Sequence, residues 1–140
     1  MTEIIKVKYI NENCTLERHG DWIDLKASKD VGIPVGSYAQ IPLGVAMKLP
    51  DGYEAHIVPR SSTFRKYGII QTNGVGIVDN AYCGDSDEWQ MPVYATHDVV
   101  ISAGTRIAQF RIVPVMDEVS IVPTQTLNEK SRGGFGSTGD

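Results

Sequence analysis

Ile5-Lys6-Val7-Lys8-Tyr9 alternates apolar and basic side chains, the period-two pattern of a half-buried β-strand. Short runs of strand character recur outward from it at 38–43, 45–49, 54–58, 75–78, 91–95, 99–101 and 106–115. Turn chemistry separates them, in Pro34-Val35-Gly36, Pro50-Asp51-Gly52 and Ser102-Ala103-Gly104. Only one stretch reads as a helix: Ser61 or Ser62 serves as N-cap, Thr63 to Tyr67 form the turn, and Gly68 ends it. Many short strands at this spacing predict an all-β chain, a jelly-roll-like β-sandwich with one short helix.

At 140 residues the chain is long enough for one domain with a sizeable core. A net charge of −4 argues against general binding to nucleic acid or an acidic membrane, which calls for a basic excess. Cys14 and Cys83 have no metal-ligand spacing and are weak evidence for a disulfide. The N-terminus lacks an apolar signal core, and no apolar run approaches ~18 residues. A soluble, cytoplasmic protein is expected.

The last ten residues, Ser131-Arg132-Gly133-Gly134-Phe135-Gly136-Ser137-Thr138-Gly139-Asp140, include four glycines and cannot hold a fold alone. They read as a flexible C-terminal arm, 131–140, appended to a β domain over 1–130. Such a strand is either a solubility tail or a cover for something flat and anionic. Phe135 supplies a π-face and Arg132 a fork for phosphate oxygens, so a nucleotide fits.

Four further constellations can carry chemistry. Pro59-Arg60-Ser61-Ser62 at the mouth of the helix reads as a phosphate site or as a simple N-cap beside a surface arginine. In Asn73-Gly74-Val75-Gly76-Ile77-Val78-Asp79-Asn80-Ala81-Tyr82, the glycines permit close approach of a ligand to the backbone. Asp79 ends that strand as a general base or as a turn residue, and Tyr82 lies across a turn that can return it to the same pocket. Gln109, polar within the strand that Arg106 begins, needs a partner, either a neighbouring strand or a ligand oxygen. Asp24, in Trp22-Ile23-Asp24-Leu25, faces a metal or an N–H. His19, His56 and His97 form no metal-ligand pair and read as structural or surface residues. Asp85, Asp87 and Glu88 read as a solvated acidic loop, and Trp89 as packing.

Taken together, these segments resemble the five ordered motifs of the homotrimeric dUTPase family, from Asp24 to Gly139. Asn-x-x-Gly-x-x-Asp-x-x-Tyr and Gly-Gly-Phe-Gly-Ser-Thr-Gly carry most of the specificity. Gly20-Asp21-Trp22-Ile23-Asp24-Leu25 is similar to the short enzymes of phages and prophages of Gram-positive bacteria. The chain departs from the common pattern in three places. Asp21-Trp22-Ile23 replaces Ala-Gly-Tyr, Asn80-Ala81 lacks a second acid, and Arg132 directly precedes Gly133.

The resemblance implies Mg²⁺-dependent hydrolysis of dUTP to dUMP and pyrophosphate by water attack on the α-phosphate. In that reading Asp79 is the base, and Asp24 holds Mg²⁺ through its hydration shell. Arg60, Ser61, Ser62 and Gln109 position the triphosphate. Asn73 and the backbone near Gly76 read uracil, and Tyr82 packs on the deoxyribose. Phe135 and Gly136 close over the base, while Arg132, Ser137 and Thr138 hold the outer phosphates. A homotrimer with shared active sites is implied, with each arm reaching a neighbouring pocket.

Two other readings are weighed against this one. A dCTP deaminase shares the fold but needs a positioned glutamate in the pocket, and the sequence offers no good candidate. A nucleotide-sensing regulator with a protein partner is the third, with the acidic loop as its contact.

Overall fold

The computed structural model describes residues 2–134; Phe135, Gly136, Ser137 and Thr138 lie outside the described residues. The first half of the chain carries β1 (Lys6–Tyr9), β2 (Glu17–His19), β3 (Trp22–Lys26), β4 (Val31–Ile33), β5 (Tyr38–Pro42), β6 (Val45–Lys48) and β7 (Tyr53–Pro59). Then come α1 (Thr63–Tyr67), β8 (Ile69–Gln71), β9 (Gly76–Val78), β10 (Gln90–Ala95), β11 (Val99–Ile101) and β12 (Arg106–Pro114). No helix among the described residues is long and apolar enough to cross a membrane.

All pairings are antiparallel. The largest sheet has the order β2-β3-β12-β7-β9, a second has β5-β10-β8, and β1-β6 and β4-β11 pair separately. This is the expected jelly-roll sandwich. Alternation decides the faces: Met91, Val93 and Ala95 of β10 point inward while Gln90 and Tyr94 point out. Val45, Ala46 and Met47 are all buried, as a continuous apolar run requires when a strand is covered on both sides. Trp89 and Phe110 meet edge to face at 5.0 Å in the centre of the core, so Trp89 is packing, as expected.

Strands β2 (Glu17–His19), β4 (Val31–Ile33) and β8 (Ile69–Gln71) escape the sequence reading. β2 has no apolar residue, Gly32 interrupts β4, and Ile69-Ile70 directly follows the helix-ending Gly68, whereas the equally short β9 and β11 lie in β-branched runs. The helix has the expected span, with Gly68 closing it at φ +64°. Its N-terminus differs from expectation. Ser62 is αR and makes no side-chain cap. Thr63 ties down this corner instead: its hydroxyl accepts from the Arg60 N–H at 3.0 Å and donates to the Ile107 carbonyl at 2.8 Å.

Ile107 is the extra residue of a β-bulge. Arg106 pairs with Lys26 and Ala108 with Leu25, so the register slips by one between them. Arg106 and Gln109 stand three apart and in a regular strand would face opposite sides. Because of the slip they lie opposite Lys26 and Asp24, two residues on a single face of β3.

Candidate active site

Asp79 follows β9 and opens a turn closed by the Tyr82 N–H donating to the Asp79 carbonyl at 3.0 Å. Asn80 locks that turn to the β6–β7 connection, its amide donating to the carbonyls of Pro50 at 2.8 Å and Tyr53 at 3.0 Å. Asp79, Tyr82 and Asn73 then line one cleft of about 440 Å³, within the range of small-ligand sites. Asn73 is held by Gln71, whose buried amide donates to the Asn73 Oδ1 at 2.9 Å and to the Ile57 carbonyl at 3.0 Å. Beside it a Cβ on Gly76 would come to 3.2 Å from that of Ile57, so the close packing there favours glycine. Tyr82 donates its hydroxyl to the Glu88 carbonyl at 3.0 Å, fixing the ring on the cleft wall. The Asp79 carboxylate is exposed and has neither hydrogen bond nor ion pair among the described residues. It is a free acceptor at the cleft mouth.

A second group forms on the outer face of the large sheet. Asp24 is buried, its side chain only 4% exposed, and three donors surround it. His19 Nδ1 lies 2.8 Å from Oδ2, Arg106 3.4 Å from Oδ2, and Arg60 Nε 3.5 Å from Oδ1. Arg60 also donates to the Arg106 carbonyl at 3.3 Å. Gln109 sits opposite Asp24 in register, half-buried, its side chain without a partner among the described residues. Ser61 and Ser62 follow Arg60 at the start of α1, and Ser61 borders an apolar cleft of about 410 Å³ with Phe64 and Gly74. Next to Asp24, Lys26 bonds Glu17 at 2.8 Å and holds that carboxyl below its usual range.

The two groups are apart within one chain. Val78 pairs with Ala55, so Asp79 emerges beside Glu54, whereas Arg60 lies beyond the far end of the same strand. Six residues at about 3.3 Å each separate these points by roughly 20 Å. Within one chain, Asp79 and the Arg60 group therefore lie at opposite ends of β7.

Three sequence readings change. His19, expected as a structural or surface residue, is the shortest contact of Asp24; its diagonal position across the β2–β3 ladder is invisible without that pairing. Arg106 joins the cluster only through the bulge. The acidic loop is not simply solvated: Asp87 accepts from the Gly84 N–H at 2.9 Å and Glu88 from the Gly44 N–H at 2.8 Å. Arg132 is exposed, in a segment beyond β12 that carries neither helix nor strand through Gly134.

Residues 12–139 match the family model described as dUTPase. The chain is 50% identical over 138 residues to the SPbeta prophage-derived deoxyuridine 5'-triphosphate nucleotidohydrolase of Bacillus subtilis, covering 96% of this chain and 97% of that protein. The Staphylococcus bacteriophage 80alpha dUTPase with dUPNHPP superposes with a TM-score of 0.80 at 22% identity, over 99% of this chain and all of that one. A mutant dUTPase of phage phi11 of S. aureus, described with a structural Mg(II) ion, gives 0.74 at 18% identity, over 89% and 98% of the two chains.

Proposed function

This chain belongs to the dUTPase family, and we propose that its reaction, hydrolysis of dUTP to dUMP and pyrophosphate, is carried by Asp79 at the nucleoside-sized cleft. The observation that carries this assignment is a carboxylate beside Asn73 and Tyr82 that no other described residue engages. A carboxylate so placed orients a water and accepts its proton as the oxygen attacks the α-phosphorus, a contribution of about 10²–10⁴-fold. Asn73 and the Gly76 backbone take the uracil edge, and Tyr82 packs on the deoxyribose. One methyl group is worth only ~1–3 kcal/mol in a yielding pocket. Rejection of thymine therefore rests on the stiffness that the Gln71 bonds and the β7–β9 ladder give this wall.

Arg60, Ser61, Ser62 and Gln109 receive the triphosphate, opposing the repulsion between nucleophile and polyanion. Residues 131–140 form the arm appended to the 1–130 domain. In that arm Arg132, Ser137 and Thr138 hold the outer phosphates, with Phe135 and Gly136 over the base. Because Asp79 and Arg60 stand roughly 20 Å apart along the sheet, a homotrimer whose copies complete each other's sites fits the geometry. The exposed Met116, Val119, Ile121, Val122 and Leu127 of the segment after β12 offer apolar surface for such an assembly.

Mg²⁺ fits one side of this site only through water. Asp24 is a single carboxylate already facing three donors, and the described residues hold no cluster of three His, Cys, Asp or Glu side chains that could ligate an ion. An ion that dehydrates reluctantly would keep its water shell, and Asp24 would hold it through that shell. When bound, it neutralises phosphate charge. The deaminase reading finds no support. Glu88 lines the cleft, but its Oε2 is committed to the Gly44 N–H.

The test is incubation with each common nucleoside triphosphate while following pyrophosphate. Only dUTP should turn over well, and Asp79→Asn should remove most turnover while retaining nucleotide binding. Equal release from dTTP would refute the specificity assignment, and an active Asp79→Asn variant the catalytic one.

A further inference from the structure

We propose that His19 is a positioning residue for triphosphate binding, acting through Asp24 on the arginines beside it. The inference rests on the reading that Arg60 serves the triphosphate. His19 lies on the edge strand β2 with its side chain 54% exposed, so burial of its ring does not explain its place. Its Nδ1 donates to Asp24 Oδ2, since a carboxylate can only accept.

The ladder explains why a donor is needed there. Glu17 stands directly opposite Asp24, and like charges facing each other across strands repel. Lys26 takes up Glu17 and His19 takes up Asp24, each at 2.8 Å. The guanidinium contacts are longer, 3.4 and 3.5 Å, beyond the 2.7–2.9 Å typical of charge-assisted bonds. Asp24 thus attracts Arg60 and Arg106 without closing a fork on either, and their remaining N–H groups stay available to phosphate oxygens.

Removing the imidazole changes that balance. Oδ2 loses its shortest partner, and a buried carboxylate left short of donors is costly. Asp24 then draws the two guanidinium groups inward, and the triphosphate loses what Asp24 gains. The β- and γ-phosphates feel this change, and the nucleoside cleft does not.

The experiment compares dissociation constants for dUMP and for a non-hydrolysable imido analogue of dUTP in the full-length protein and in His19→Ala, His19→Asn and Arg60→Ala. His19→Ala should weaken the analogue about tenfold, ~1.4 kcal/mol, and leave dUMP within about twofold. With dUTP as substrate, its KM should rise by a similar factor while kcat stays within about threefold. His19→Asn, whose amide nitrogen reaches the position of Nδ1, should recover most of the loss. Unchanged analogue affinity in His19→Ala, equal loss of both ligands, a loss confined to kcat, or an Asn variant as weak as Ala overturns the proposal. Arg60→Ala separates the two readings. If it fails to distinguish analogue from dUMP, the assignment of Arg60 is wrong; if it does distinguish them while His19→Ala does not, only the role of His19 falls.

Discussion

Thr63→Val removes one hydroxyl and nearly nothing else, at the point where the helix corner is tied to the bulge of β12. Thr63 is 1% exposed, and its oxygen serves the Arg60 N–H and the Ile107 carbonyl together. Ile107 is fully buried, so its carbonyl has no water to turn to and stranding it costs about 1–3 kcal/mol. The Arg60 amide, in a half-buried residue, adds about 0.5–1.5 kcal/mol. The expected destabilisation is therefore about 2–4 kcal/mol, several times that of an ordinary surface change. Urea unfolding at fixed protein concentration reads it, since association shifts apparent stability. Thr63→Ser keeps the hydroxyl and loses a methyl, worth only about 0.8 kcal/mol. Should Thr63→Val unfold within about 0.5 kcal/mol of the parent, or Thr63→Ser prove the worse of the two, the hydroxyl does not hold this corner.

Gly44→Ala should be severely destabilising, because Gly44 has φ +70° and a Cβ there would lie 2.5 Å from the Cys14 sulfur; a soluble variant with unchanged melting would contradict this packing. Titration with a thiol-specific disulfide reagent should find Cys83 at once and Cys14 only on unfolding, since Cys14 is buried and Cys83 exposed. Burial also pushes the Cys14 thiol up, with Lys26 opposing and Glu88 reinforcing. A folded-state value above the unfolded one means that stability is complete below the ordinary thiol range and falls as pH rises through it, which denaturation at a series of alkaline pH values would show. Asn80→Ala should loosen the turn that carries Asp79 and lower kcat more than it raises KM; the reverse pattern would mean that Asn80 serves binding instead.

Wherever one short pattern decides a structure, the sequence reveals it. Alternation at Ile5 to Tyr9 and the apolar run at Val45 place strands, and Tyr67-Gly68 ends the helix. The turn from Asp79 to Tyr82 is legible because the Asp and the Tyr stand three apart beyond a β-branched run. What is not legible depends on register between distant segments. His19 meets Asp24 only because β2 and β3 pair as they do, and Arg106 shares a face with Gln109 only because of a one-residue slip. Ser62 illustrates the opposite error. A serine at a helix start suggests a side-chain cap, but Thr63 ties the corner down through a partner 44 residues away. Glu88 reads as solvated from its acidic neighbours, whereas the Gly44 N–H across the fold determines its place.

Mixing two inactive variants tests most directly whether the Asp79 carboxylate of one copy works on a triphosphate held by the Arg60 group of another. Asp79→Asn and Arg60→Ala chains are unfolded together in equal amounts, refolded, and assayed for pyrophosphate release from dUTP. Random assembly pairs an intact Asp79 with an intact Arg60 in about a quarter of the sites, so activity near that fraction of the parent's is expected. A refolded mixture no more active than its separate components would contradict the shared site.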